Sequence, residues 1–266
     1  MSKLVLGLFA GGLLSAWLSG SPDPSSPAGK FLKRLDQTHH EPPVLHYFDI
    51  RGRAEAIRVA FADKGIVYID KPFTKGKWTP VNGSPGLKEK WTNEGKLMFG
   101  QVPRLEMDGF DLVQSHSIFR YVAAKHGWYD GYDLRTKANI DMAADGTEDI
   151  RKQLTAIKYD DGLKEEQKTA KYKAWFKESG PTWFGFYERL LLGNSEGNSE
   201  SFLAGTSEPS HADYLLFDLC DLAEALGGEH ATKLLKGLPS LRAWRKRIAA
   251  RPLLDAYLQG PKRRDP

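Results

Sequence analysis

The sequence predicts an α/β half over residues 44–127 followed by an all-α half over residues 133–266. Three observations carry that reading. Between 44 and 127, short β-forming runs alternate with helix-period runs. Beyond "WYDGYD" only helix-period segments follow. With 41% hydrophobic and 27% charged side chains, 266 residues suffice for a large core in one or two domains.

Residues 1–43 stand apart. Lys3 precedes the apolar run "LVLGLFAGGLLSAWL", Leu4 to Leu18, and the linker "SGSPDPSSPAGK" has no face to bury. The run is shorter than the ~20 residues of a bilayer span, and fits the apolar core of a signal peptide. Its cleavage site is poor, because cutting after Gly20 leaves Leu18 where a small residue belongs, and cutting after Ser21 leaves Pro22 next. Three readings follow: an uncleaved anchor, a removed signal or transit segment, or a packing segment in a larger assembly. Lys30, Lys33 and Arg34 follow the run, against Lys3 before it, so an anchor leaves the main body on the cytosolic or matrix side. Removal of the segment would instead leave a soluble cytoplasmic or organellar protein. Gly7 and Gly11 make one GxxxG spacing, which alone says little.

"VLHYF" reads as a strand, and "GRAEAIRVAFADKG" as an amphipathic helix ended by Gly65. "VYIDKPF" is a second strand. "RLEMDGFDLV" is two short strands about Asp108-Gly109, a hairpin dipeptide. "SHSIFRYVAAKHG" is a helix ended by Gly127. The helical half then holds "LRTKANIDMAADGTEDIRKQL", "EEQKTAKYKAWFKESGPTWFGFYERLLLG", "SHADYLLFDLCDLAEALGG" and "PSLRAWRKRIAARPLLDAYLQ". No internal repeat is visible.

Several function classes drop out. The net charge of +4 comes from 38 basic and 34 acidic side chains, with no basic run interleaved with aromatics, so the surface is a mixed solvated one rather than a nucleic-acid platform. The single cysteine, Cys220, permits no intramolecular disulfide, and its apolar helical surroundings predict a buried, inert thiol. No His, Cys or carboxylate pair has convincing metal spacing, and the adjacent His39 and His40 sit in a linker-like stretch. "GLFAGG" has no strand before it and no Lys-Ser/Thr after it, so it is no phosphate loop.

The chemistry concentrates in three places. In "VLHYFDIRGRAEAIR" a strand ending near Tyr47 turns at Arg51-Gly52-Arg53 into a helix. A redox protein with this opening would carry a cysteine there, and this one carries a tyrosine. Gln101-Val102-Pro103 precedes a strand. Pro103 cannot donate to a ladder, and it reads either as an ordinary turn proline or as a cis bond. In the cis case the Val102 N–H and C=O face outward and can pair with an extended peptide. Gln114-Ser115 opens a helix with Ser115 in an N-cap-like position, which reads as a plain cap or as a carboxylate site.

Taken in order, "YFDIRGR", "MFGQVPRLEMDG", "LVQSHSI", "IDMAADGTEDI" and "SHADYLLFDL" resemble the cytosolic-type glutathione S-transferases, nearest the alpha, pi and sigma classes. The likeness covers Val44 to Gln259. It implies a thioredoxin-like N-terminal domain, an all-helical C-terminal domain, a homodimer, and glutathione as co-substrate with no other cofactor or metal. It makes Tyr47 and Arg53 the catalytic candidates. The reactive thiol is then the substrate's, and the tyrosine is its hydrogen-bond donor. A hydroxyl aimed at sulfur stabilises the thiolate and lowers a pKa that is near ~8.5 in the free thiol.

By the same resemblance Gln101, Val102 and Pro103 bind glutathione, with Val102 pairing with its cysteinyl backbone, and Gln114 and Ser115 hold the γ-glutamyl carboxylate and amine. Asp149 reaches the γ-glutamyl group of the neighbouring subunit. Ser210 and Asp213 form a structural capping box. The chain departs from the family before "MFGQVP", where relatives place a tryptophan and a cation on the glycyl carboxylate. The candidates are Trp78 or Trp91, and Lys88, Lys90 or Lys96. "KWTNEGK" resembles a mu-class arrangement, which favours Trp91 and Lys96. Phe48, Ile50 and Tyr159 fall where relatives line a pocket for a hydrophobic electrophile. The competing expectation is a non-catalytic transferase-like subunit tethered by residues 1–43 in a membrane-associated complex.

Overall fold

β1 (Val44–Phe48) has three consecutive buried residues, Leu45, His46 and Tyr47. A strand covered on both faces must lie inside its sheet, and β1 does. In this computed structural model, which describes residues 41–80, 84–195 and 201–266, the sheet order is β2-β1-β3-β4. β2 (Ile69–Phe73) runs parallel to β1. β3 (Arg104–Met107) pairs antiparallel with β1 and with β4 (Phe110–Val113). Asp108 and Gly109, with φ of 55° and 80°, form the hairpin turn in the left-handed conformation that such a dipeptide favours. The Leu4–Leu18 run, the linker and His39-His40 lie outside the described residues, as does any account of an anchor built on them.

A single 3-10 turn, Gly52–Ala54, leads from β1 into α1 (Glu55–Asp63), which is buried on almost every side. Gly65, at φ 64°, ends this helix. Between β2 and β3 lie α2 (Lys75–Trp78) and α3 (Leu87–Asn93), too short to show a helical period in sequence. α4 (Ser115–Lys125) follows β4. Its N-cap is Gln114 rather than Ser115, and Gln114 has φ 72° and ψ 108°.

The helical half holds α5 (Leu134–Lys158), α6 (Glu165–Glu178), α7 (Gly180–Ser195), α8 (His211–Lys236), α9 (Pro239–Ala249) and α10 (Pro252–Leu258). Two boundaries differ from the sequence reading. The long "EEQK…LLLG" segment divides at Ser179, before Gly180-Pro181, because a proline has no N–H for a continuing ladder. α8 is broken at Gly228 (φ 52°, ψ −130°), where the sequence reading ended it, and a second helical stretch follows to Lys236. Pro239 and Pro252 each open a helix where a missing N–H is harmless.

At the start of α8 the Ser210 N–H and Oγ both donate to Asp213 Oδ2, at 2.9 and 2.7 Å. Asp213 Oδ1 accepts from the Leu203 N–H at 3.0 Å and from Trp244 Nε1 at 2.8 Å. The cap therefore also joins a loop and α9 to α8. Cys220 is fully buried, and burial pushes its thiol up to about 12, so it is unreactive at neutral pH.

Residues Pro43 to Pro266 form one compact unit containing both the sheet and the helices. Its C-terminal tail returns to the β1–α1 turn. The Arg51 N–H donates to the Asp265 carbonyl at 2.9 Å, and Arg51 Nε to the Arg264 carbonyl at 2.7 Å. Arg264 binds Asp49 at 2.7 Å and pairs with Asp70, while Arg263 pairs with Asp221 of α8. No described helix is long and apolar enough to cross a membrane.

Candidate functional site

A cleft of about 470 Å³ opens between the β1–α1 turn, the segment from Trp78 to Val102, and the helices α5 and α8. α5 contributes Arg151, Thr155, Lys158 and Tyr159, spaced as one face of a helix. α8 contributes Asp218, Asp221 and Leu222, and Pro266 of the tail closes one side.

Tyr47 reaches the cleft from the end of β1 with 7% of its surface exposed. Its hydroxyl oxygen accepts the Arg53 N–H at 3.0 Å. Burial raises its pKa, and that N–H bond offsets the rise only in part. The hydroxyl is therefore protonated at neutral pH. With an oxygen lone pair committed to the backbone, its hydrogen can be donated to a ligand. Gly52 makes this packing possible. It sits at φ +46°, and a Cβ built on it would lie 2.6 Å from Tyr47 Cε1 and 2.7 Å from the hydroxyl oxygen.

Arg53 is fixed from the other side by α5. Its Nη1 and Nη2 donate to Glu148 Oε2 and Oε1 at 2.7 and 2.8 Å. Glu148 raises the Arg53 pKa. Burial alone would raise the Glu148 pKa, but the guanidinium overrides it and holds the carboxyl below its usual value. Deeper in the cleft, Arg151 pairs with Asp218, both nearly inaccessible.

Of the residues expected from sequence, Tyr47, Phe48, Arg53, Gln101, Val102 and Tyr159 line the cleft. Pro103 is buried behind them, and the Val102-Pro103 bond is cis. Gln114 and Ser115 lie beyond the cleft lining. Arg104 pairs with Val113, so they continue β4 beside the chain entering β3 and extend the same surface. Asp149 is exposed on α5, one residue past Glu148.

Three expected residues are not among the side chains that line the cleft. Trp91 is off the cleft because its ring packs on the Arg104 guanidinium (4.8 Å), His46 (5.2 Å) and Phe73 (5.7 Å). Lys96 is off it as well, with its ammonium on Glu94 at 2.8 Å. Ile50 is partly buried against the core and is not part of the cleft lining. Trp78 and Lys88 occupy the cleft instead. Trp78 is held by stacking on Phe73 at 5.6 Å and an edge contact to Phe48 at 5.5 Å. Sequence reasoning also passed over Arg51, Arg151, Lys158 and the tail. The shared face of 151, 155, 158 and 159 was a usable signal for the α5 residues. Among the described residues, no group of three His, Cys, Asp or Glu side chains could hold a metal ion.

The comparisons with known proteins agree with this geometry. Residues 43–124 match the family model "Glutathione S-transferase, N-terminal domain", and residues 148–261 match "Glutathione S-transferase, C-terminal domain". The chain is 35% identical to glutathione S-transferase P 1 of Xenopus laevis over 83% of its own length and 93% of that protein. It is 32% identical to human glutathione S-transferase A3 over 84% and 91%. Among solved structures it resembles the Pi-class glutathione S-transferase of Onchocerca volvulus. The TM-score is 0.67 at 28% identity, covering 82% of this chain and 93% of that one.

Proposed function

We propose, from the premise that the chain belongs to the glutathione S-transferase family, that it binds glutathione in this cleft, holds it as the thiolate and transfers it to a hydrophobic electrophile. The observation that carries the reading is the Tyr47 hydroxyl, protonated and tied at its oxygen to the Arg53 N–H, with its hydrogen free to point at sulfur. A hydrogen bond to a charged group contributes about 1.5–3 kcal/mol. That corresponds to about 1–2 pKa units, enough to bring a thiol of pKa ~8.5 to the thiolate at neutral pH. The thiolate then attacks the electrophilic carbon, whose leaving group departs with the bonding pair. Proximity supplies much of the rest.

In this reading Val102 and Gln101 hold the cysteinyl portion, and Lys88 with Trp78 takes the glycyl carboxylate. Gln114 and Ser115 take the γ-glutamyl end. Gln114 sits at a φ of 72° that non-glycine residues avoid, and strain of this kind clusters at ligand sites. Phe48 and Tyr159 face the electrophile. The working form is a homodimer, in which Asp149 serves the partner's γ-glutamyl group. Met98 and Phe99, 77% and 64% exposed immediately before Gly100-Gln101, support a surface that a second copy covers. Any membrane attachment runs through Leu4–Leu18 and rests on sequence alone.

Calorimetric titration with glutathione tests the binding. The parent binds. Arg53→Ala binds roughly tenfold or more weakly, because it loses the guanidinium and leaves Glu148 partly buried without its cation. No binding by the folded parent at millimolar glutathione would end the reading.

A further inference from the structure

Two of the five cations lining the cleft, and both of its aspartates, are ion-paired within the protein. Arg53 is held by Glu148 at 2.7 Å, Arg151 pairs with Asp218, and Asp221 is held by Arg245 at 2.6 Å and by Arg263. Arg51 donates to the Arg264 carbonyl at 2.7 Å. Lys88 and Lys158 share with Arg51 the lack of any carboxylate within ion-pair distance among the described residues, but Arg51 is committed to the tail carbonyl. They sit on opposite walls. Lys88 belongs to α3, beside Gly100-Gln101, where the proposed glycyl carboxylate lies. Lys158 belongs to α5, one residue before Tyr159 and three after Thr155, on the electrophile wall.

Lys158 forms no ion pair among the described residues, and the two aspartates of the cleft are committed to arginines. Burial lowers its pKa, and the cations Lys75 and Arg151 push it the same way. Its ammonium lies 5.9 Å from the centroid of the neighbouring Tyr159 ring. A lysine in the last turn of a helix is ordinarily explained by the helix dipole. Here the helix terminus faces a ligand cleft and is crowded by the cations Lys75 and Arg151, so the dipole does not supply the missing counter-charge.

We propose that Lys158 makes this cleft selective for electrophiles that carry a carboxylate or similar anion beside an apolar reactive body. The proposal rests on the transferase reading. Glutathione brings two carboxylates, and that reading assigns one to Gln114-Ser115 and the other to Lys88. Lys158 is then left to complement charge on the second substrate. The apolar body lies against Phe48 and Leu222, with its anion on Lys158 and the exposed Tyr159 hydroxyl at the rim.

The test uses a matched pair, 4-chloro-3-nitrobenzoate and its methyl ester. In both, the glutathione thiolate forms a carbon–sulfur bond and chloride leaves with the bonding pair. The readout is the ratio of kcat/KM for acid over ester at saturating glutathione, in the full chain and in Lys158→Met and Lys158→Glu. Intrinsic reactivity cancels between proteins, so the change in ratio reports the side chain alone. The ratio should fall roughly tenfold in Lys158→Met, the share of one charged contact, and further in Lys158→Glu. An unchanged ratio in both variants, with the ester still turned over, overturns the proposal and spares the transferase reading. A raised KM for glutathione with acid and ester equally affected also overturns it, by giving Lys158 to the peptide. No ester turnover by the parent overturns the transferase reading, and the proposal with it.

Discussion

Gly52 is the residue on which the position of Tyr47 most directly depends. A Cβ there would overlap the tyrosine ring, and its φ of +46° is one that side chains rarely adopt. Gly52→Ala should therefore displace the hydroxyl. We expect kcat/KM to fall by roughly 10–100-fold, the range of one lost charged hydrogen bond, with a stability loss of about 1–3 kcal/mol by denaturant titration. Tyr47 and Arg53 were legible in sequence because they belong to one short strand–turn–helix motif. The packing of Trp91 was not legible for the opposite reason: its ring neighbours, His46, Phe73 and Arg104, lie 13 to 45 positions earlier or later in the chain. Lys88→Ala should raise the KM for glutathione, and Lys96→Ala should leave it unchanged, when the two are compared in steady-state kinetics.

At the scale of elements, buried polar hubs hold the cleft walls in place. Asp213 is inaccessible and accepts from Ser210, Leu203 and Trp244, so Asp213→Ala leaves several donors unsatisfied at once. Chemical denaturation should show a loss of at least about 3 kcal/mol, while Ser210→Ala should lose about 1 kcal/mol. The start of α8 was readable from the S-x-x-D spacing, since a capping box is a local signal. The hairpin at Asp108-Gly109 was readable for the same reason. α2 and α3 were not, because four and seven residues do not complete enough turns to show a period. The break at Gly227-Gly228 was readable from the glycine pair, and the short helix that follows it to Lys236 was not.

Across the whole molecule, His211 links the two halves. It is inaccessible, stacks on Phe119 and Tyr129, and has Nε2 3.3 Å from Asp141 Oδ1 without alignment for a hydrogen bond. Burial drives its pKa down from 6.5 to about 4, against the pull of Asp141, with Arg120 and His116 acting with burial. The folded protein therefore resists a proton that the unfolded chain accepts. Its contribution to stability is complete above pH 6.5 and is lost as the pH falls toward 4, by up to roughly 3 kcal/mol. His46 and His126 are also lowered by burial and act in the same direction. The difference between the parent and His211→Leu isolates the one residue, and the variant should lose less stability between pH 6.5 and 5. The C-terminal tail was not legible at all. Arg264 and Asp265 meet Arg51 across more than 200 residues of sequence, and no local pattern announces such a contact.

The account turns on the Tyr47 hydroxyl acting on the sulfur of bound glutathione. The direct measurement is the pKa of that thiol, followed by thiolate absorbance as pH is raised, in the parent and in Tyr47→Phe. We predict a value one to two units below the free thiol's ~8.5 in the parent, and a return to about the free value in Tyr47→Phe with glutathione still bound. Equal thiol pKa values in the two proteins would contradict the account.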